Sequence, residues 1–191
     1  RDHETGHYAY LKLPSPLKEG ATYIVRQWDG RETSFKFSDR TTRNAAIKVN
    51  QLGYLPDAPA KYAYFGGWIP TVGALPVPGN AVFEICEAKT GEAVYKGELE
   101  LRAKADWKPA NLMEEKAGAP YSGEDTYEMA FGEFQTEGTY YIRIPGAGRS
   151  ADFSISKTIY GEPFYVQTRG FYHQRCGTAL TKPWTNWERA A

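Results

Sequence analysis

His173 and Cys176 stand three residues apart in FYHQRCGTAL, residues 171–180. On a helix that spacing is close to one turn, so the two side chains can meet. A thiol beside an imidazole suits a cysteine nucleophile with its base, or two metal ligands. A nucleophile also needs a third group to orient the base and a pocket for substrate, and the flanking sequence offers neither. A coincidence of helical spacing is the plainer reading. His3 and His7 lie near the N-terminus with no further ligands close by, which reads as solvated polar residues. Glu114-Glu115, Glu124-Asp125 and Glu133 fall in loops or at polar strand positions. None is in a setting that would drive two carboxyl pKa values apart, as acid–base chemistry requires. Glu124-Asp125 with a loop backbone is the one pattern suited to Ca²⁺, whose ligands are hard oxygens. There is no phosphate-cradling glycine motif ahead of a helix and no nucleophile elbow.

The elements that would position these residues are mostly short and alternating. Among 191 residues, 15% are aromatic, including 14 Tyr, and there are 19 Gly and 12 Pro. Tyr favours half-buried strands while Gly and Pro punctuate turns, so the composition leans to an all-β fold. The 23 basic and 23 acidic residues cancel, leaving no footprint for nucleic acid or an anionic membrane. No apolar run approaches the roughly 20 residues of a membrane span. RDHETGHYAY has no apolar signal-peptide core, which is expected if such a segment was removed or the chain starts within a longer protein. Cys86 lies in a strand-like run and Cys176 in the helical stretch. Two cysteines in different elements do not make a disulfide framework.

Residues 7–13, 22–26 and 34–37 read as three short strands, with turns at Lys18-Glu19-Gly20 and Asp29-Gly30. Three strands are marginal alone, so residues 1–45 are expected to be added strands or part of a preceding β domain. The polar stretch 38–46 reads as a linker, and the Gly- and Pro-laden 66–80 as a loop. Residues 81–102 read as a hairpin turning through Ala88 to Gly91. Tyr127/Met129/Phe131, Tyr140/Ile142/Ile144 and Phe153/Ile155 each share one strand face. About seven strands over 46–156 match the span of an immunoglobulin-like sandwich. From Tyr160 the period becomes helical: Phe164, Phe171, Tyr172 and Cys176 fall on one face, with Pro163 near the start. The expected organisation is a β segment at 1–45, a sandwich at 46–157, and the start of a second domain at 158–191.

IKVNQLGYLPDAPAKYAYF (47–65), the TGE of 90–92, GTYYIRIPGAGRSADFSI (138–155) and FYHQRCG (171–177) occur in that order. In this the chain resembles glycoside hydrolase family 9 enzymes that carry an immunoglobulin-like module ahead of the catalytic domain. The resemblance covers about residues 46–191. It implies a mostly β immunoglobulin-like sandwich with extra N-terminal strands, followed by the first helix of a truncated (α/α)₆ barrel. Family members are inverting hydrolases of β-1,4-glucans, using one carboxylic acid and one water-activating carboxylate. The base belongs to an Asp-Ala-Gly-Asp motif that this chain lacks, so no catalytic residue is carried over and the chain alone is expected to be inactive. Some members hold a structural zinc through the Cys of the RCG motif, and Cys176 matches that ligand. One thiolate is a quarter of a tetrahedral site. His173 matches a position where an aromatic is frequent and receives no role.

The resemblance implies a secreted or cell-surface glycosidase whose sandwich packs on and stabilises the barrel, in cis or on a complementary chain. A β-glucan would be bound through that barrel. Trp68, Phe171 and Tyr172 are candidate docking residues, with sandwich core packing as the other reading of Trp68. The alternative is a carbohydrate-binding module with Trp68, Trp107 and Trp184 as sugar-stacking platforms. A generic adhesion-type sandwich is the third reading.

Overall fold

The computed structural model of the chain describes residues 9–77, 80–108 and 122–191. At the N-terminal end, β1 (Thr22–Arg26) and β2 (Glu32–Lys36) pair antiparallel, Thr22 opposite Lys36 and Arg26 opposite Glu32. Asp29-Gly30 makes the turn as expected, with Gly30 at φ +85°, a conformation glycine adopts without steric cost. The third strand expected at 7–13 does not form over its described residues, 9–13. Leu11 and Leu13 lie beside Leu17, Tyr23, Val25 and Phe35 around one hollow.

Two sheets face each other over residues 47–155. One runs β3 (Ile47–Lys48), β4 (Tyr62–Phe65), β10 (Thr126–Ala130), β9 (Glu100–Ala103). The other runs β12 (Gly148–Arg149), β11 (Gly138–Ile144), β7 (Val82–Glu87), β8 (Ala93–Glu98), with β13 (Phe153–Ile155) also on β11. Period-2 alternation supplies the core. Ala63, Phe65, Met129 and Phe131 come from the first sheet, and Phe83, Ile85, Ile142, Ile144, Phe153 and Ile155 from the second, all buried. Each large apolar side chain so buried contributes about 1.5–3 kcal/mol. The predicted inward faces of 126–131, 138–144 and 153–155 are all present. The expected hairpin at 81–102 is β7–β8, turning at Gly91 (φ +73°). Its second run does more than return, because buried Leu99 carries the chain from β8 in one sheet to β9 in the other.

Two loop expectations are also corrected. Residues 66–80 are not wholly irregular: β5 (Trp68–Ile69) and β6 (Gly73–Ala74) form a miniature hairpin. Thr71 and Gly73 turn the chain at positive φ, while Pro70 falls in the turn and Pro76 beyond the second strand. Residues 38–46 are not a free linker. Asn44 N–H donates to the Arg149 carbonyl and Arg149 N–H to the Thr42 carbonyl, both at 2.9 Å. Asp39 and Ala46 are buried against the sandwich. The polar composition that suggested solvent reflects hydrogen bonding to a sheet edge.

The predicted helix is α1 (Gly161–Gln174). Pro163 sits in its first turn, where a missing N–H costs nothing. None of its residues is buried. The helical face expected to reach Cys176 stops short, since the chain leaves the helix at Arg175 (φ −68°, ψ 120°). The tail folds back through a bridge between Leu180 and Arg189. Tyr172 fastens it, its hydroxyl donating to the Ala179 carbonyl and accepting from Thr181 N–H, each at 3.2 Å.

Candidate functional site

The residues that suggested chemistry are kept apart. Cys176 is an exposed free thiol past the helix end. The Nδ1 of His173 lies 2.8 Å from the Arg169 carbonyl one turn back, and its ring packs on Tyr172 and Trp187. The imidazole is thus occupied by its own helix and tail. Glu124 pairs with Lys48 at 3.2 Å, while Asp125 accepts the Ala105 N–H at 2.7 Å. A calcium ion at these two carboxylates would have to compete with Lys48. Among the described residues no group of three or more His, Cys, Asp or Glu is arranged to hold a metal. Cys176 therefore fits zinc only as one ligand of several. His3, His7 and Glu114-Glu115 lie outside the described residues.

The three tryptophans separate into two places. Trp68, on β5, leaves 54% of its surface exposed and lies over Gly123, so it is not part of the sandwich core. Trp107 is also half exposed, on a turn held by Trp107 N–H donating to the Lys104 carbonyl. Both segments converge on residues 123–125. Trp184 belongs to the tail, where it joins Tyr165, Thr168, Arg169 and Tyr172 around a cleft of about 320 Å³. Of the docking candidates, Phe171 is exposed, whereas Tyr172 is partly taken up by the tail.

A better-built arrangement lies where sandwich meets helix. In the loop Asn50–Tyr54, Asn50 Oδ1 accepts the Leu52 N–H at 3.0 Å and Nδ2 donates to the Gly53 carbonyl at 2.9 Å. The Tyr54 hydroxyl accepts the Asn50 N–H at 2.9 Å and donates to the Tyr62 carbonyl at 2.7 Å. Burial pushes this phenol up to about 12. Tyr54 also exchanges backbone hydrogen bonds with Ser154 and Ser156, at the end of β13. Gly53 (φ +98°) has no room for a side chain: a Cβ would lie 2.4 Å from the Ser154 carbonyl oxygen and 2.8 Å from Ile159. The loop therefore grips the strand from which the chain runs into α1.

A family model described as the cellulase N-terminal ig-like domain matches residues 42–149. The chain belongs to that family. Endoglucanase D of Acetivibrio thermocellus is 38% identical over 58 residues, which is 30% of this chain and 9% of that protein. A solved metagenome-derived glycoside hydrolase family 9 endoglucanase superposes with TM-score 0.55 at 27% identity, covering 75% of this chain and 24% of the other. A Bacteroides ovatus GH9 structure, at 23% identity, shares the fold with TM-score 0.55 over 78% of this chain and 23% of its own. The chain spans less than a tenth of the curated relative and about a quarter of these solved chains. The expected family 9 N-terminal module, a mostly β immunoglobulin-like sandwich, is borne out.

In this cellulase N-terminal domain two polar constructions went unread in the sequence. Lys61 has no exposed surface, yet its ammonium donates to the carbonyls of Pro56 (2.9 Å), Ala58 (2.8 Å) and Gly132 (2.9 Å). Burial lowers its pKa and nearby Asp57 opposes the shift. Its signal was present, since Lys61 is in phase with the inward Ala63 and Phe65. The second is an ion-pair cluster. Arg143 Nε and Nη2 donate to Asp39 at 2.7 and 2.9 Å, and Nη1 donates to Glu84 at 2.6 Å. Burial works to raise the Asp39 pKa, but Arg143 and the Gly146 N–H overcome it and hold the carboxyl below its usual range. Asp39 N–H in turn donates to Glu19 at 2.9 Å, tying the region of the β1–β2 ribbon to the sandwich.

Proposed function

We propose that this module is a structural support for the catalytic domain of a secreted family 9 glycosidase. In that enzyme α1 begins an (α/α)₆ barrel that hydrolyses β-1,4-glucan or a related β-glycoside with inversion. The observation that carries this reading is α1 itself. It follows the sandwich directly and buries none of its residues, leaving Phe164 72% and Phe171 67% exposed. Contiguous exposed aromatic surface on a soluble protein calls for a covering partner. Covering it contributes about 25 cal/mol per Å² of apolar area. Zinc belongs to the same proposal, with Cys176 giving one thiolate to a site whose other ligands come from the barrel. Calcium at Glu124-Asp125 is a further proposal, with Lys48 as the group displaced.

The test compares the full-length enzyme with a form lacking residues 1–157. The catalytic domain is expected to melt earlier and lose activity without the module, whereas an unchanged melting temperature and turnover would overturn the role. The 191-residue chain alone is expected to release no reducing sugar from carboxymethyl cellulose. The cleft beside Trp184 favours a second reading, in which Tyr165 and Trp184 stack on sugar rings with Trp68 and Trp107 as outlying platforms. Affinity electrophoresis in soluble β-glucan separates the two. Retardation abolished by Trp184→Ala would favour sugar binding, and unretarded migration would favour support alone.

A further inference from the structure

We propose that the Asn50–Tyr54 loop is the docking contact that fixes the angle between the sandwich and the helical domain begun by α1, with Leu52 seated against that domain. This rests on the supporting role proposed above and names the residues that perform it. Leu52 is a large apolar side chain left 54% exposed at the tip of a loop whose polar groups satisfy one another internally. Such a loop loses little conformational freedom on docking, because its geometry is already fixed. Gln51 and Leu52 line a hollow of about 680 Å³ together with Ser156, Ile159, Glu162 and Pro163, the residues entering α1 and in its first turn. A domain built onto α1 would begin beside this hollow. The loop also borders a second hollow, through Gln51, lined by Arg43, Ile47, Lys48 and Val49 along the free edge of β3.

The occupant is covalently specified. It is the remainder of the helical domain to which α1 belongs, since related family 9 chains are about four times as long as the stretch matched here. The spacing of the loop explains its composition. Asn50 organises the turn, Gly53 lets the backbone lie against Ser154 and Ile159, and Tyr54 anchors the far end. Leu52 is the large apolar side chain of the loop that is left more than half exposed.

Leu52→Glu and Leu52→Ala should be made both in the full-length enzyme and in the 191-residue chain. In the chain, melting is expected to be unchanged for both variants, because the side chain is already exposed. In the full-length enzyme, Leu52→Glu is expected to lower the melting of the catalytic domain by about 2–4 °C or more, with Leu52→Ala intermediate. Module and barrel should then unfold in separate calorimetric transitions. An equal loss in the 191-residue chain would show that Leu52 serves only the sandwich and would overturn the proposal. So would unaltered melting of the full-length variants where removal of residues 1–157 does destabilise the enzyme. If that removal has no effect either, the supporting role itself falls with it.

Discussion

Phe131, just past β10, meets the ring of Tyr54 at 5.0 Å and that of Phe153 at 5.9 Å, and has no exposed surface. Phe164, on α1, has the same side chain and is 72% exposed. The two regions differ in whether their apolar periodicity has been answered. In the sandwich each inward face finds another sheet, and even polar groups that cross into the interior are paired. Among the described residues no buried side-chain polar atom lacks a partner. On α1 the tail meets Tyr172 and His173, but Phe164 and Phe171 stay exposed. The inward faces of the sandwich are answered, while the exposed aromatics of α1 are not.

Unfolding experiments on the 191-residue chain test this contrast, since only the sandwich should respond strongly to mutation. The largest loss is expected from Phe131→Ala, about 4 kcal/mol, from lost transfer energy and the cavity left behind. Lys61→Met should follow, at about 3 kcal/mol, because it strands three carbonyls that the ammonium now satisfies. Asp39→Asn should cost about 2 kcal/mol by weakening the bidentate pair with Arg143. It should also change the acid limb of stability. The Asp39 pKa is depressed in the folded state, so its contribution is present above the ordinary value of 3.8 and is lost as pH falls through the lower folded value. That loss should be absent in Asp39→Asn.

Tyr54→Phe should cost about 1 kcal/mol, through loss of the two hydrogen bonds at its hydroxyl. Here the sign is reversed. The folded phenol holds its proton to about 12 against 10.0 in the open chain, so its contribution declines as pH rises between those values. Stability of the Phe variant should fall less steeply there. Smallest of all, Phe164→Ala and Phe171→Ala should shift the urea midpoint by less than about 0.5 kcal/mol equivalent. A large loss from either would mean that α1 is already packed, and the contrast would fail.

Much of the sandwich was legible in the sequence because burial there follows a period of two. Met129, Ile142 and Ile155 sit where alternation puts them. What escaped were contacts between groups distant in sequence. Asp39 and Arg143 lie 104 residues apart, and no local pattern announces that a polar stretch will dock on a sheet. Lys61 was overlooked for the opposite reason: its phase pointed inward while its charge pointed outward, and phase prevailed once three carbonyls were at hand. The His173–Cys176 spacing, read as a coincidence, forms no helical pair because Arg175 ends the helix before the thiol is reached. The NQLGY motif could be matched to a family before the structure gave it a task. Its hydrogen bonds are short-range, but the strand it grips is a hundred residues away.

The enclosure of Lys61 also makes it a reporter. Amine-reactive reagents acylate a lysine only when the nitrogen is reachable and its lone pair is free. In the native fold Lys61 satisfies neither condition, whereas Lys12, Lys18 and Lys36 are exposed. Labelling at Lys61 therefore counts openings of the sandwich, residue-specifically, against a background of surface lysines that react at once. A mass spectrometer could follow those openings in a crude mixture without purifying the protein.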